Sequence, residues 1–114
     1  LFKMTSAEFA EMLTDEMAEM MNIGHVLIDG SHHYQDVAID SELAARLIGN
    51  RPGIIVYDDA ILPGVAQAIE EFVDQHYNQI DSEVDLYITR PGHILSYFIN
   101  GHPDATYYHS NKNN

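Results

Sequence analysis

Three aspartates and one histidine have the types and spacing of an active site. Asp29 ends the apolar run 25–29, and Asp58 and Asp59 end a second apolar run, 54–59. Neighbouring strands lie about 5 Å apart, so carboxylates at the ends of two adjacent parallel strands can share one hard cation such as Mg²⁺. His32 follows Asp29 by three residues, and a turn there would bring it over the same carboxylates as a general base.

The same residues have a plainer interpretation. The aspartates would then only terminate strands, Ser31 would cap the next helix, and His32 and His33 would be solvated. Spacing alone leaves both interpretations open. The other histidines lack metal-ligand spacing and are expected to be surface or structural residues: His25, His76, His93, His102 and His109.

Three helices are predicted from capping signals and hydrophobic periodicity. A capping box at residues 5–8 predicts a first helix that ends at Asn22. A second helix is predicted after Ser31, with Gly49 as its C-cap, and a third begins at Pro63. The apolar stripe of the first helix is expected to pack in the core: Phe9, Leu13, Met17 and Met20 or Met21.

Four β-rich runs predict a mixed four-stranded sheet. Residues 25–29 and 54–59 flank the second helix as a parallel βαβ unit, and 84–90 and 93–99 form an antiparallel hairpin around Pro91-Gly92. The pattern predicts an α/β fold with two or three parallel strands in a single domain, 1–114. A frayed tail is expected over 101–114.

Composition narrows the class of partner. The chain has 114 residues, 46% of them hydrophobic, and 18 acidic against 5 basic residues for a net charge of −13. This charge repels phosphate backbones and anionic lipids, so we expect no nucleic-acid or membrane partner and favour a small-molecule substrate. The chain has no cysteine, which excludes disulfides and thiolate sites. No apolar run approaches a membrane span, and we expect a cytoplasmic protein.

Three ordered segments resemble a known family. They are Val-Leu-Ile-Asp-Gly-Ser-His-His-Tyr at 26–34, Pro-Gly-Ile-Ile-Val-Tyr-Asp-Asp at 52–59, and Pro-Gly-Val at 63–65. This series resembles the C-terminal half of class I S-adenosylmethionine-dependent methyltransferases, in the group whose fourth strand ends in Asp-Gly-Ser-His-x-Tyr and whose fifth ends in Asp-Asp. The resemblance covers residues 1–99, is densest over 26–72, and implies a partial Rossmann-like methyltransferase fold.

The resemblance also implies roles for the four residues. In related small-molecule O-methyltransferases, acids at these strand ends hold Mg²⁺, which orients a substrate hydroxyl, and a nearby histidine takes its proton. By resemblance, Asp29, Asp58 and Asp59 are the metal ligands and His32 is the catalytic base. This agrees with the cluster expected from the strand ends.

The family's cofactor-binding half has no counterpart in the sequence. Its first strand, Gly-rich turn and second-strand acid are not matched, so we expect S-adenosylmethionine to bind only if the missing half is supplied, and the chain alone to be inactive. The open flank of strand 25–28 would then be covered by that half, by a second copy in a homodimer, or by the first helix. Two other interpretations stay open: a noncatalytic α/β binding or assembly module, and a small enzyme that uses only the acidic cluster and a metal.

Overall fold

The computed structural model describes residues 6–29, 32–87 and 93–108. Its helices are α1 (Ser6–Met12), α2 (Asp15–Met21), α3 (Tyr34–Ile48) and α4 (Pro63–Gln75), with short 3₁₀ helices at Tyr77–Gln79 and Pro103–Tyr108. Its strands are β1 (His25–Ile28), β2 (Gly53–Tyr57), β3 (Ile80–Tyr87) and β4 (His93–Ile99). None of these helices combines the length and the apolar character that crossing a bilayer requires.

The four strands form one mixed sheet in the order β1-β2-β4-β3. β1 and β2 are parallel, because α3 carries the chain back between them, and β4 is antiparallel to both of its neighbours. β1 and β3 are therefore the two edges of the described sheet. The predicted α/β class and mixed four-stranded sheet are confirmed.

The main core lies between the sheet and the helices α3 and α4. Alternate residues of β2 point into it, and Ile55 and Tyr57 are fully buried. The Tyr57 hydroxyl donates to Ser41 Oγ at 2.8 Å, and Ser41 Oγ donates to the Val37 carbonyl at 2.7 Å. Burial raises the pKa of Tyr57 well above its ordinary value, so the hydroxyl stays protonated and keeps this bond.

The first predicted helix is two helices. α1 ends at Met12, and Thr14 is the N-cap of α2, where its hydroxyl accepts the Met17 amide at 3.1 Å. A threonine side chain that bonds the backbone in this way competes with a continuous helix. Leu13 is buried, but Met20 is 85% exposed and Met21 is 43% exposed, so the prediction that one of these two methionines packs in the core was wrong.

Two arginines attach this helical pair to α3. Arg46 donates to the carbonyls of Ala10 at 2.9 Å and Leu13 at 2.7 Å, at the end of α1. Arg51 donates to the Leu47 carbonyl at 2.6 Å and reaches Ile23 at 3.4 Å. Carbonyls at helix ends lack intrahelical partners, and these guanidinium groups supply donors for them.

Other boundaries also differ from the prediction. α3 begins at Tyr34, and its N-cap residue His33 makes no side-chain capping bond; Ser31 lies outside the described residues. β3 begins four residues before the predicted hairpin strand, whereas β4 has its predicted bounds. The turn at 88–92 lies outside the described residues.

The segment after β4 contacts the start of β3 and forms a 3₁₀ helix. The amides of Gly101 and His102 donate to Asp81 Oδ2 at 2.7 and 3.2 Å, and the His102 ring lies 5.1 Å from the Phe98 ring. The 3₁₀ helix follows and buries Ala105. The expectation of a frayed tail over 101–114 stays a prediction, and residues 109–114 lie outside the described ranges.

Candidate metal centre

The parallel pair β1 and β2 brings the candidate ligands to one edge of the sheet. Ile28 and Tyr57 are the last partners in the register, and the Asp58 amide continues the ladder by donating to the Ile28 carbonyl at 3.1 Å. Asp29 and Asp58 therefore leave the two strands side by side. This is the arrangement that the strand ends predicted.

The three aspartates form one cluster. Asp29, Asp58 and Asp59 each offer a carboxylate oxygen, and these oxygens all lie within 4.8 Å of one another. Asp29 is exposed, and the other two are half-buried. Carboxylate oxygens at this spacing are the donor type that Mg²⁺ and Ca²⁺ prefer, so the residues fit a hard divalent cation.

Asp59 reaches the cluster through a turn. Its backbone has a φ of +54°, in the left-handed region that aspartate tolerates better than most residues. Its amide donates to Asp58 Oδ1 at 2.9 Å, and its carbonyl accepts the Leu62 amide at 3.1 Å. This turn allows two consecutive residues to present carboxylates to the same small space.

His32 lies over the cluster as predicted. Its Nε2 is 2.9 Å from Asp59 Oδ2, and the side chains of His32 and Asp59 are 58% and 29% exposed. The histidine therefore contacts the cluster and solvent at once. The structure shows this position for His32, and its role as a base stays a prediction.

Gly64 and Tyr34 hold the loop that carries His32. A Cβ atom at position 64 would lie 2.6 Å from the His32 carbonyl oxygen and 3.1 Å from the Tyr34 amide nitrogen, so only glycine permits this approach. The Tyr34 hydroxyl donates to Glu71 of α4. Sequence reasoning missed these supports: Pro63-Gly64 indicated only a helix start, and no sequence signal linked Tyr34 to Glu71, 37 residues away.

Charge crowding dominates the electrostatics of the cluster. The Asp58 carboxylate raises the pKa of Asp29 above its ordinary value, both by repulsion and by a hydrogen bond between the two carboxyl groups, and Asp59 adds to it. His32 acts in the opposite direction. A bound cation would relieve the same repulsion.

A small apolar cleft opens beside Asp29. Its volume is about 240 Å³, and it lies along the edge strand β1 and the facing side of α3. Leu27, one of its lining residues, is 62% exposed. The remaining lining is apolar apart from Asp29 and Asp40: Val26, Ile28, Leu43, Ala44 and Leu47.

The histidines outside the cluster have separate surroundings. His76 contacts Glu42 and Gln79, His93 is buried, and the rings of His25 and His102 meet edge to face with centroids 6.4 Å apart. His109 lies outside the described residues. In the described part of the chain none of them joins the aspartates in a metal-ligand group.

No family model, no curated protein and no solved structure matches the chain. The methyltransferase resemblance therefore depends on the motif residues alone and stays a prediction.

Proposed function

We propose that Asp29, Asp58 and Asp59 bind a divalent cation, Mg²⁺ or a similar ion, and that the chain is a methyltransferase-like half that serves metal-assisted O-methylation of a small molecule. The observation that carries the proposal is the convergence of three carboxylate oxygens within 4.8 Å at the ends of two parallel strands. The assignment of methyl transfer, with S-adenosylmethionine as the donor, comes from the motif resemblance.

In this reaction the acceptor hydroxyl loses its proton, its oxygen bonds to the donor methyl carbon, and the bond from that methyl to sulfur breaks. A cation at the cluster would lower the pKa of the hydroxyl. His32 would accept the proton. Its Nε2 lies 2.9 Å from Asp59 Oδ2, so this nitrogen is the one that faces the cluster.

The cofactor-binding half would be supplied by another segment that pairs with β1. Among the described strands β1 pairs only with β2, and Leu27 on this edge is 62% exposed. α1 and α2 pack on α3 through Leu13 and Ala18, and they leave Leu27 exposed. A complementary half, or a second copy of the chain, would cover this edge by strand pairing.

Metal binding is the first experiment. Isothermal titration of the chain with Mg²⁺, and with Mn²⁺ followed by electron paramagnetic resonance, is expected to show one site that Asp29→Asn abolishes. Asp74→Asn is the matched control, since it removes one exposed carboxylate at the far end of α4. Failure of the unaltered chain to bind either ion at millimolar concentration would overturn the proposed cation site.

A second titration tests whether the chain alone binds S-adenosylmethionine. S-adenosylmethionine is expected to give no heat with the chain alone, with or without Mg²⁺, because its binding half is not in this sequence. Binding of S-adenosylmethionine to the isolated chain would contradict the half-fold proposal. Absence of both metal and cofactor binding would favour the noncatalytic α/β module.

A further inference from the structure

A second groove lies on the far side of α4 from the metal cluster's loop. It has a volume of about 280 Å³ and runs between α4 and the outer strands β3 and β4. Its floor is apolar, and three carboxylates lie among its lining residues. The lining consists of Ala60, Ala66, Ile69, Glu70, Val73, Asp74, Glu83, Leu95 and Tyr97.

The size of this groove favours a side chain over a whole ligand. Pockets that enclose drug-sized molecules have volumes of roughly 300–1,000 Å³, and this open groove is below that range. With an apolar floor and this volume, the groove can accept one or two apolar side chains of a partner. Such inserted anchors carry much of the affinity in peptide and protein interfaces.

The carboxylates around the groove define the charge of the partner. Glu70 and Asp74 are exposed, four residues apart on α4, and Glu83 lies across the groove, where it accepts the Tyr97 hydroxyl at 2.7 Å. In the described ranges the only lysines or arginines are Arg46 and Arg51, and both bond backbone carbonyls near α1 and α2. No basic side chain of the described chain therefore reaches Glu70 or Asp74.

We propose that this groove docks a basic amphipathic segment of a partner protein. An apolar side chain of the segment enters the floor, and flanking lysines or arginines pair with Glu70 and Asp74. A second copy of this chain is a poor occupant of this acidic groove, because the arginines of its described ranges, Arg46 and Arg51, already bond backbone carbonyls. The docking surface shares no residue with the aspartate cluster, so it stands independently of the proposed metal chemistry.

The test uses three fluorescein-labelled peptides and the intact chain. The first has two leucines and a phenylalanine flanked by lysines and arginines. The second replaces its three apolar residues with serine, and the third replaces its basic residues with glutamate. Anisotropy at low ionic strength is expected to show saturable binding of the first peptide only, and this binding should weaken as salt screens the charges.

Three variants locate the binding. Glu70→Gln with Asp74→Asn is expected to weaken the first peptide about tenfold, since it removes two partners of the basic residues. Glu11→Gln with Glu16→Gln removes the same charge from exposed positions on α1 and α2 and is expected to change binding less than about twofold. Ala66→Trp fills the groove without changing charge and is expected to abolish binding.

Each remaining outcome would overturn the proposal. Equal weakening by both double variants would show general attraction to an acidic protein, and equal binding of the serine peptide would show that the floor is not used. Circular dichroism checks that Ala66→Trp keeps the fold. In an NMR titration with the first peptide, chemical-shift changes confined to α1 and α2 would place the peptide outside the groove. A dimer in sedimentation that Ala66→Trp dissociates would make the occupant a second copy.

Discussion

At the carboxyl ends of β1 and β2, three carboxylates share one small space with a single histidine, whereas the opposite end of β2 carries a polar cluster that satisfies itself. There the Asn100 side chain donates to the carbonyls of Gly49 and Arg51, both at 2.8 Å. Gln79 Nε2 donates to Asn100 Oδ1 at 3.1 Å, and Gln79 Oε1 faces His76 Nδ1 at 2.9 Å.

These bonds link Asn100 through Gln79 to His76, and we call this chain of hydrogen bonds the relay. The relay constrains which ring nitrogens of His76 carry protons. Because Asn100 must donate to two carbonyls, Gln79 must offer its oxygen to Nδ1, while Nε2 faces the Glu42 carboxylate at 3.0 Å. A protonated ring can donate from both nitrogens, so these contacts favour the imidazolium form. Burial opposes this charge, but the bonds to Gln79 and Glu42 outweigh it and raise the pKa of His76.

The contrast separates structural from functional polar groups. In the relay both Asn100 amide hydrogens meet acceptors, and the chain of bonds ends on backbone carbonyls. In the aspartate cluster like charges accumulate, and the pKa of Asp29 rises because Asp58 repels its charged form. A bound cation would neutralise the crowded negative charge at the strand ends, whereas the polar groups of the relay pair with one another.

The largest expected effect is at Asn100. Asn100→Asp replaces the donor to two carbonyls with a carboxylate, and it should lower the free energy of unfolding by about 3 kcal/mol. Urea unfolding followed by circular dichroism measures this loss. Asn100→Gly is the control, because it keeps the left-handed backbone at φ +58° and removes only the side chain, and it should lose less. A loss below about 0.5 kcal/mol for Asn100→Asp would show that the relay does not stabilise this end of the sheet.

Gly64→Ala should have the next largest effect. The new Cβ would lie 2.6 Å from the His32 carbonyl, so the loop must move, at a cost of about 2 kcal/mol. The shift should separate His32 from Asp59 and weaken Mg²⁺ binding in the same titration. Gly24→Ala is the matched control, since its nearest neighbour would be the Pro52 carbonyl at 3.9 Å. Equal stability of the two variants would contradict the tight approach at Gly64.

His76→Gln tests the pH dependence of the relay. The folded-state pKa of His76 is raised, so its stabilisation is complete below the unfolded value of 6.5 and disappears as pH rises through the folded pKa. The expected contribution is about 1 kcal/mol, reduced by solvent screening because the ring is only half-buried. The Tm should fall as the pH rises from 5 to 8, and this fall should be smaller in the variant. His25→Gln serves as the control, and the same loss of slope there would contradict the assignment to His76.

Asp29→Asn should have the smallest effect, with the opposite sign. The folded-state pKa of Asp29 is raised above 3.8, so the folded chain is favoured below that value and loses this advantage as pH rises through the folded pKa. In protein treated with a chelator, the variant should have a slightly higher Tm at pH 7 and an unchanged Tm near pH 3. Added Mg²⁺ should stabilise only the unaltered chain.

Glu70→Gln controls for general charge repulsion in this comparison. It removes one exposed carboxylate from the middle of α4, away from the cluster. An equal rise in Tm for Glu70→Gln at pH 7 would show that the effect of Asp29→Asn reflects the overall acidity of the chain.

The amino-acid sequence by itself determined most of the elements and the expected position of the acids. Helical periodicity predicted α4, and the apolar runs predicted β1, β2 and β4. Both signals are local, because the spacing of apolar residues along the chain shows which face of an element is buried. The rule for strand ends then predicted that Asp29, Asp58 and Asp59 would meet, and the structure confirms their proximity. The short interval from Asp29 to His32 made the histidine predictable as well.

Only the tertiary structure decided the contacts between distant segments. The helix breaks at Thr14 because the Thr14 hydroxyl caps α2. The same hydroxyl could instead face solvent within one continuous helix, and local propensity does not distinguish these two structures. Glu42 meets His76 across 34 residues, and Gly64 touches the His32 loop only because α4 packs against it. Such pairs depend on how the helices pack on the sheet and on one another. This packing is the sum of many contacts between distant segments, and no local sequence pattern encodes it.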